Sequence, residues 1–205
     1  MLIKICGLTR PDDARAAVEA GATAIGMVFW PNSPRAVTVE QARAVVAAVG
    51  DGEVLTVGVF VDARADQIDD VMRRVGLGAA QLHGHESPEF VDGLPWPVIK
   101  AVPVPAAGPL PDLAPWRGIR VLLDAHDPER RGGTGRRVDW TRAAALSATR
   151  PVILAGGLTP DNVAEAVMRV RPAGIDVSSG VEQSPGVKDA RLVRALIAAA
   201  REAEA

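Results

Sequence analysis

The sequence predicts an α/β fold, a single (β/α)8 TIM barrel with a degenerate fifth helix. Three observations carry that prediction. Short apolar runs alternate with amphipathic stretches, eight times along the chain. The runs are rich in Val, Ile and Leu and do not alternate cleanly with polar residues, which suits strands buried on both faces of a parallel sheet. Nothing like G-x-G-x-x-G follows the first run, which argues against the rival, an open doubly wound dinucleotide fold. Strand followed by helix is the βαβ unit, and eight such units suggest the closed barrel.

The units follow in order. Leu2 to Cys6 is the first run, with a helix-like segment from Pro11 to Ala20. Ala24 to Phe29 is the second, followed by Val39 to Val49, and Val54 to Val61 the third, followed by Ala65 to Val75. Ala79 to His83 is the fourth, with a short segment from Ser87 to Val91. Val98 to Val102 is the fifth. Prolines 103, 105, 109, 111 and 115 follow it, and no regular helix survives that density. Ile119 to Asp124 is the sixth, followed by Asp139 to Ser147, and Pro151 to Ala155 the seventh, followed by Pro160 to Val170. Gly174 to Ser178 is the eighth, followed by Asp189 to Ala203. Gly7-Leu8-Thr9-Arg10-Pro11-Asp12-Asp13 resembles Gly157-Leu158-Thr159-Pro160-Asp161-Asn162, and each opens a helix after an apolar run. Thr159 with Pro160 reads as an N-cap followed by a first-turn proline.

All 205 residues are expected to form one catalytic domain. Hydrophobic residues make up 48%, charged residues 23%, and the net charge is −2, the balance of an ordinary soluble protein. With no basic excess there is no electrostatic reason to expect nucleic acid. No apolar run reaches membrane-spanning length, and Met1 to Gly7 does not open a secretory signal, so a cytoplasmic protein is expected. No exposed apolar stripe announces a dimer face, so a monomer is preferred over a homodimer. Cys6 is the single cysteine and cannot form an internal disulfide. The histidines, His83, His85 and His126, are too few and too scattered for a metal motif, so no metal is expected.

Barrel enzymes carry reacting groups at the carboxyl ends of their strands. At those ends stand Cys6, Asp62, Gln81 and His83, Lys100, Asp124, Ala155-Gly156-Gly157 and Ser178-Ser179-Gly180. A purely structural barrel does not need polar groups gathered at one end. Cys6 reads either as a small buried hydrophobe or as a tuned thiol. Lys4 lies two residues earlier on the same strand face, and an ammonium there lowers a thiol pKa. If that face is the barrel interior, Lys4 needs a carboxylate partner, and Asp176 on the eighth strand is the candidate. Asp124 reads either as a turn or cap residue or as a catalytic acid. Gly132-Gly133-Thr134-Gly135 is either a flexible loop or a close approach to a ligand. Gly156-Gly157 and Ser178-Ser179-Gly180 are phosphate candidates, because backbone N–H groups after strands seven and eight form the usual phosphate site of this fold. Arg35, in the proline-held loop Pro31 to Arg35, is either a solvated surface arginine or a bidentate clamp on a carboxylate or phosphate. His83 and His85 read as positioning or loop residues.

These residues resemble those of the phosphoribosylanthranilate isomerases. The match runs through Lys4-Ile5-Cys6-Gly7-Leu8-Thr9, Phe29 to Arg35, Gln81-Leu82-His83-Gly84 and Gly132-Gly133-Thr134-Gly135. It continues through Asp139-Trp140, Leu154 to Leu158 and Asp176 to Glu182, in the family's order and over essentially the whole chain. The resemblance implies a (β/α)8 barrel of tryptophan biosynthesis that performs an Amadori rearrangement of N-(5′-phosphoribosyl)anthranilate to 1-(2-carboxyphenylamino)-1-deoxyribulose 5-phosphate. It implies Asp124 as general acid at the furanose ring oxygen and Cys6 as general base at C2′. Arg35 would hold the anthranilate carboxylate. Gln81 and His83 join the substrate-binding set, and Gly156, Gly157, Ser178, Ser179 and Gly180 hold the phosphate. No redox step occurs, so no cofactor is implied. Where the family commonly reads Gly-Gly-Thr-Gly-Lys-Thr-Phe-Asp-Trp, this chain has Arg136, Arg137 and Val138 before Asp139-Trp140, a departure that bears on loop packing and closure. The related isomerase of histidine biosynthesis uses paired aspartates at strands one and six, and Cys6 in place of the first argues against it. A catalytically dead barrel kept as a scaffold is the other alternative, against which the intact Cys6, Asp124 and Arg35 set argues.

Overall fold

The computed structural model describes residues 1–50, 52, 54–125 and 138–204. Eight parallel strands close into a barrel in chain order. They are β1 (Leu2–Ile5), β2 (Ala24–Val28), β3 (Leu55–Phe60), β4 (Ala79–Leu82), β5 (Val98–Val104), β6 (Arg120–Ala125), β7 (Val152–Leu154) and β8 (Gly174–Val177). Closure is made by β1 against β8, from Leu2 opposite Gly174 to Ile5 opposite Val177. The helices are α1 (Pro11–Glu19), α2 (Val39–Val49), α3 (Ala65–Val75), α4 (Pro88–Asp92), α5 (Trp140–Ser147), α6 (Val163–Val170) and α7 (Ala190–Glu204). A small antiparallel hairpin, β9 (Glu182–Ser184) with β10 (Val187–Lys188), stands between β8 and α7.

Side chains alternate across each strand, and this sets two cores. Val57, Ala79, Ile99, Ala101, Leu122, Ile153 and Ala155 fill the barrel interior as one buried cluster. Ile3, Ile5, Ile25, Leu82, Val121, Leu123 and Ile175 face the other way and pack against helices. The interior alternation continues to the carboxyl ends, so Cys6, Gln81, Asp124 and Asp176 lie on the same inward face as the apolar layer. Lys100 does not. It follows inward Ile99 and precedes inward Ala101, so it faces the helix layer. There its ammonium bonds the carbonyl oxygens of Leu82 and Gly84 and the Glu86 carboxylate, the last at 2.8 Å. Lys100 sits near the middle of β5 and not at its end, which corrects its expected place among the strand-end polar groups.

The fifth unit lacks an α-helix, as the prolines require, and carries only a 3₁₀ turn at Ala114–Trp116. β5 runs two residues past its expected end, through Pro103. β4 stops opposite Lys100, so Ala101–Val104 pair only with β6, and proline is tolerated on such a free edge. In the seventh unit the helix starts at Val163, not at Pro160. Thr159 does not cap it. Instead Asn162 Oδ1 accepts from the Thr159 N–H at 2.9 Å and Asn162 Nδ2 donates to the Gly157 carbonyl at 2.9 Å, which folds 160–162 into a turn first. Its counterpart in unit one does begin at its proline, Pro11. Val138 is buried, and Asp139 caps α5 by accepting from the N–H groups of Thr141 and Arg142. The glycine-rich segment Gly132–Gly135, His126, Arg136 and Arg137 lie outside the described residues.

Candidate active site

A cavity opens at the carboxyl ends of the strands. Cys6, Arg35, Gln81, His83, Asp124, Gly156, Gly157, Ser178, Ser179 and Gly180 all line it, with Trp30 and Ser33 from the loop after β2. The fold therefore brings together every residue singled out as a catalytic or substrate-binding candidate. Asp62 is not among the lining residues. It lies beside the turn after β4, where its carboxylate accepts from the His85 N–H.

One wall of the cavity is ionic. Lys4 is fully buried, and its ammonium lies 2.9 Å from Asp176 Oδ1. This is the pairing expected if the face is the barrel interior, since a buried ammonium needs a carboxylate. Burial pushes the Lys4 ammonium down, but Asp176 and Cys6 outweigh it and hold its pKa above the ordinary value. Cys6 is bonded through its N–H to the Val177 carbonyl at 2.8 Å, which fixes the end of β1 against β8. Gly26 on β2 leaves room for the sulfur. A Cβ built there would stand 2.9 Å from both Cys6 Sγ and Lys4 Nζ. The thiol pKa is raised. Burial is the largest cause and the Asp176 carboxylate adds to it, while Lys4 and Lys188 pull the other way without prevailing. Of the two readings of Cys6 open in the sequence, burial and a neighbouring ammonium, both act here and burial outweighs the ammonium.

The opposite wall is a hydrogen-bond chain. Asp124, at the end of β6, receives the Ala125 N–H on Oδ1 at 2.8 Å. Its Oδ2 lies 3.1 Å from His83 Nε2, and His83 Nδ1 lies 3.2 Å from Gln81 Nε2. His83 reaches Asp124 and Gln81 backs it, because both point inward from β4 and the turn after it.

Arg35 is not a surface arginine. It is buried, and its guanidinium grips Glu182 with Nε on Oε1 at 2.8 Å and Nη2 on Oε2 at 2.7 Å. Its Nη1 group keeps no partner among the described residues. Glu182 also takes the Lys188 ammonium at 2.6 Å. The Arg35 bond holds the Glu182 carboxyl below the ordinary carboxylate range, although burial alone would raise it. At the far end, Gly156 and Gly157 follow β7 and Ser178 to Gly180 follow β8. A Cβ at Gly180 would run into the Leu158 carbonyl oxygen, so only glycine lets these two loops meet.

Residues 3–199 match the family described as N-(5'phosphoribosyl)anthranilate (PRA) isomerase. The chain belongs to this family. It is 48% identical to the N-(5'-phosphoribosyl)anthranilate isomerase of Geobacter sulfurreducens over 199 residues, 97% of this chain and 98% of the relative. The phosphoribosyl anthranilate isomerase structure from Thermus thermophilus superposes with a TM-score of 0.89 at 40% identity, covering 98% of this chain and 99% of that one. A second structure, a phosphoribosyl anthranilate isomerase in complex with reduced 1-(o-carboxyphenylamino)-1-deoxyribulose 5-phosphate, gives a TM-score of 0.83 at 36% identity and covers 98% and 100%. Phosphoribosylanthranilate isomerases are isomerases of tryptophan biosynthesis, so the chain is an enzyme of that class.

Two charged residues of the site escaped the sequence reading, Glu182 and Lys188. Glu182 closes the motif Asp176 to Glu182, but its grip on Arg35 spans 147 positions and has no local signal. Lys188 sits in a hairpin whose turn residues, Ser184-Pro185-Gly186, read as surface. Among the described residues there is no group of three histidine, cysteine or acidic side chains that could hold a metal ion. Nor is any described helix long and apolar enough to cross a membrane.

Proposed function

We propose that this chain rearranges N-(5′-phosphoribosyl)anthranilate to 1-(2-carboxyphenylamino)-1-deoxyribulose 5-phosphate, with Asp124 as general acid and Cys6 as general base. The observation that carries the reading is the facing pair itself. A carboxyl on β6 and a thiol just past the end of β1 look into one cavity from opposite walls, with glycine- and serine-rich strand ends beyond them. Ring opening needs a proton delivered to the furanose oxygen, and isomerisation needs one taken from C2′, so two groups on two sides suit one substrate lying between them. Asp124 protonates the ring oxygen and the ring opens to a Schiff base. The electron-poor nitrogen acidifies C2′, Cys6 takes that proton, and the enolamine tautomerises to the ketone.

Cys6 rests as a protonated thiol, because its pKa is raised. It becomes a base only after losing that proton, and the buried Lys4 ammonium stabilises the resulting thiolate. Arg35 offers Nη1 to the anthranilate carboxylate while Glu182 holds the other edge of its guanidinium. The phosphate lies against backbone N–H groups after β7 and β8, the position this fold favours. The ring C1′–O bond breaks as the nitrogen lone pair forms the C=N bond, and the remaining steps are proton transfers, so no external oxidant or reductant enters.

The test is turnover of freshly made phosphoribosylanthranilate, before and after alkylation of the single thiol. Wild-type protein is expected to form the ribulose phosphate, and one label per chain is expected to abolish turnover. Full activity in quantitatively alkylated protein, or in Cys6→Ala, would leave Cys6 as core filler.

A further inference from the structure

The hairpin after β8 lends Glu182 to Arg35, and it also buries a second ammonium against that carboxylate. Lys188 is buried, and its Nζ donates to Glu182 Oε1 at 2.6 Å and to the Ser178 carbonyl at 3.2 Å. Ser178 directly follows Val177, the residue whose carbonyl holds the Cys6 N–H. The ammonium is thus anchored one residue from the thiol's own backbone contact. Gly7, the next residue after Cys6, is roofed by Arg35 and by Ser178, whose carbonyl holds the ammonium. A Cβ there would stand 2.5 Å from Arg35 Cδ and 2.9 Å from Ser178 Oγ.

The hairpin is pinned, not draped. Thr9 Oγ1 donates to the Gly186 carbonyl at 2.6 Å, and the Lys188 N–H donates to Asp13 Oδ2 at 2.9 Å. The Gly186 N–H donates to Glu182 Oε1 at 3.2 Å. Lys188 therefore has little freedom to swing away.

On the thiol's own wall the charges are Lys4 on β1, Asp176 on β8, Arg35 after β2, Glu182 on β9 and Lys188 on β10, three cations and two anions, while Asp124 on β6 and His83 after β4 face it across the cavity. Lys4 takes Asp176, and Arg35 takes both oxygens of Glu182. Lys188 shares a carboxylate that Arg35 already grips, so this wall carries one more positive charge than negative, and a thiolate at Cys6 balances it.

Building on the reading of Cys6 as base, we propose that Lys188 is a positioning residue that supplies the uncompensated positive charge facing the Cys6 thiolate, with Glu182 setting how much of it the sulfur feels. Consistent with this, burial depresses the Lys188 ammonium while Glu182 and Cys6 support it, and Lys188 in turn is among the groups that lower the thiol.

The experiment uses the one thiol of the intact chain and no substrate. The rate of iodoacetamide labelling is followed against pH in wild type, Lys188→Met, Lys188→Arg and Glu182→Gln, each checked for cooperative thermal unfolding. Lys188→Met removes a cation, so the labelling midpoint is expected to rise by on the order of one pH unit. Lys188→Arg keeps the charge and is expected to return it most of the way. Glu182→Gln removes an anion and is expected to move the midpoint down. Opposite shifts are what charge compensation requires, and general loosening of the site would move both variants the same way. Midpoints that stay put in both, or move together, overturn the proposal. A wild type that labels as described but fails to turn over phosphoribosylanthranilate would sink the functional reading and leave this one standing.

Discussion

The two walls of the cavity solve proton handling by different means. The β1–β8 wall surrounds Cys6 with Lys4, Asp176, Arg35, Glu182 and Lys188, all tied in short ion pairs. The β4–β6 wall presents Asp124 at the end of a side-chain chain, Gln81 to His83 to Asp124, backed by one backbone N–H. A buried thiol keeps its proton until its anion is stabilised, and only full charges close by do that strongly in a low-dielectric interior. A carboxyl is already acidic and needs holding in place more than it needs charge. The difference teaches that the thiol wall should respond to changes of charge and the carboxyl wall to changes of hydrogen-bonding shape.

The largest expected effect lies on the carboxyl wall. Asp124→Asn keeps the shape and removes the transferable proton, so kcat is expected to fall on the order of 10²–10⁴-fold, the usual worth of general acid catalysis. Thermal unfolding should stay close to wild type. Near wild-type turnover in the folded variant would reassign the acid and erase the contrast between the walls.

Next comes Arg35→Ala, on the ionic side. A carboxylate clamp binds substrate and transition state alike, so the expected change is a rise in KM of roughly tenfold to a hundredfold, the worth of a charged hydrogen bond. Removing Arg35 also strips Glu182 of its bidentate partner, leaving Lys188 to neutralise it alone. If kcat collapses while KM holds, Arg35 belongs to the chemistry.

The pH profile sharpens the same contrast. A base works unprotonated, and kcat/KM reports the free enzyme. With the Cys6 thiol raised by burial and Asp176, the acid limb of kcat/KM is expected to climb about tenfold per pH unit and to continue past the free thiol value of about 8.5. A limb already flat at neutral pH would mean that the cations on this wall overcome burial.

The fold was legible because the apolar runs are short and β-branched, and each strand was found within a few residues of its expected place. The fifth unit was legible from its prolines. The seventh helix start was misread because Thr159-Pro160 has the local chemistry of a cap, while the decisive bonds come from Asn162, which reaches back to Thr159 and Gly157. Inside the cavity, Lys4 and Asp176 were legible as a pair because strand parity put Lys4 inside, where it needed an anion. Lys100 was misplaced by the same reasoning applied without parity. Glu182 and Lys188 stayed hidden because nothing in a polar hairpin tells a buried charge from a solvated one. That distinction is made by packing from Thr9, Asp13 and Arg35, all distant in sequence.

The smallest effect expected tests whether the thiol wall has any slack. Gly26 sits inside β2 with an ordinary strand backbone, so an alanine there meets no conformational strain. Its methyl group, however, would arrive 2.9 Å from Cys6 Sγ, 2.9 Å from Lys4 Nζ and 3.0 Å from Lys4 Cε. Both neighbours are side-chain ends and can give by a few tenths of an ångström. Lys4 cannot give far, because its ammonium is held by Asp176 in a fully buried position. Overpacking of this kind costs about 1–3 kcal/mol, which a lowered Tm will register. The displaced sulfur should lower kcat by about tenfold, less than the roughly 10²-fold that a full ångström of misplacement costs. Gly58→Ala makes the useful control. Its Cβ would crowd Leu77 and Phe60 outside the cavity, so it is expected to lower Tm without a matching loss of kcat. Equal losses of kcat in the two variants would mean that Gly26 matters only for packing. A Gly26→Ala protein with unchanged kcat and unchanged thiol labelling would mean that Cys6 and Lys4 are not held to a fixed geometry.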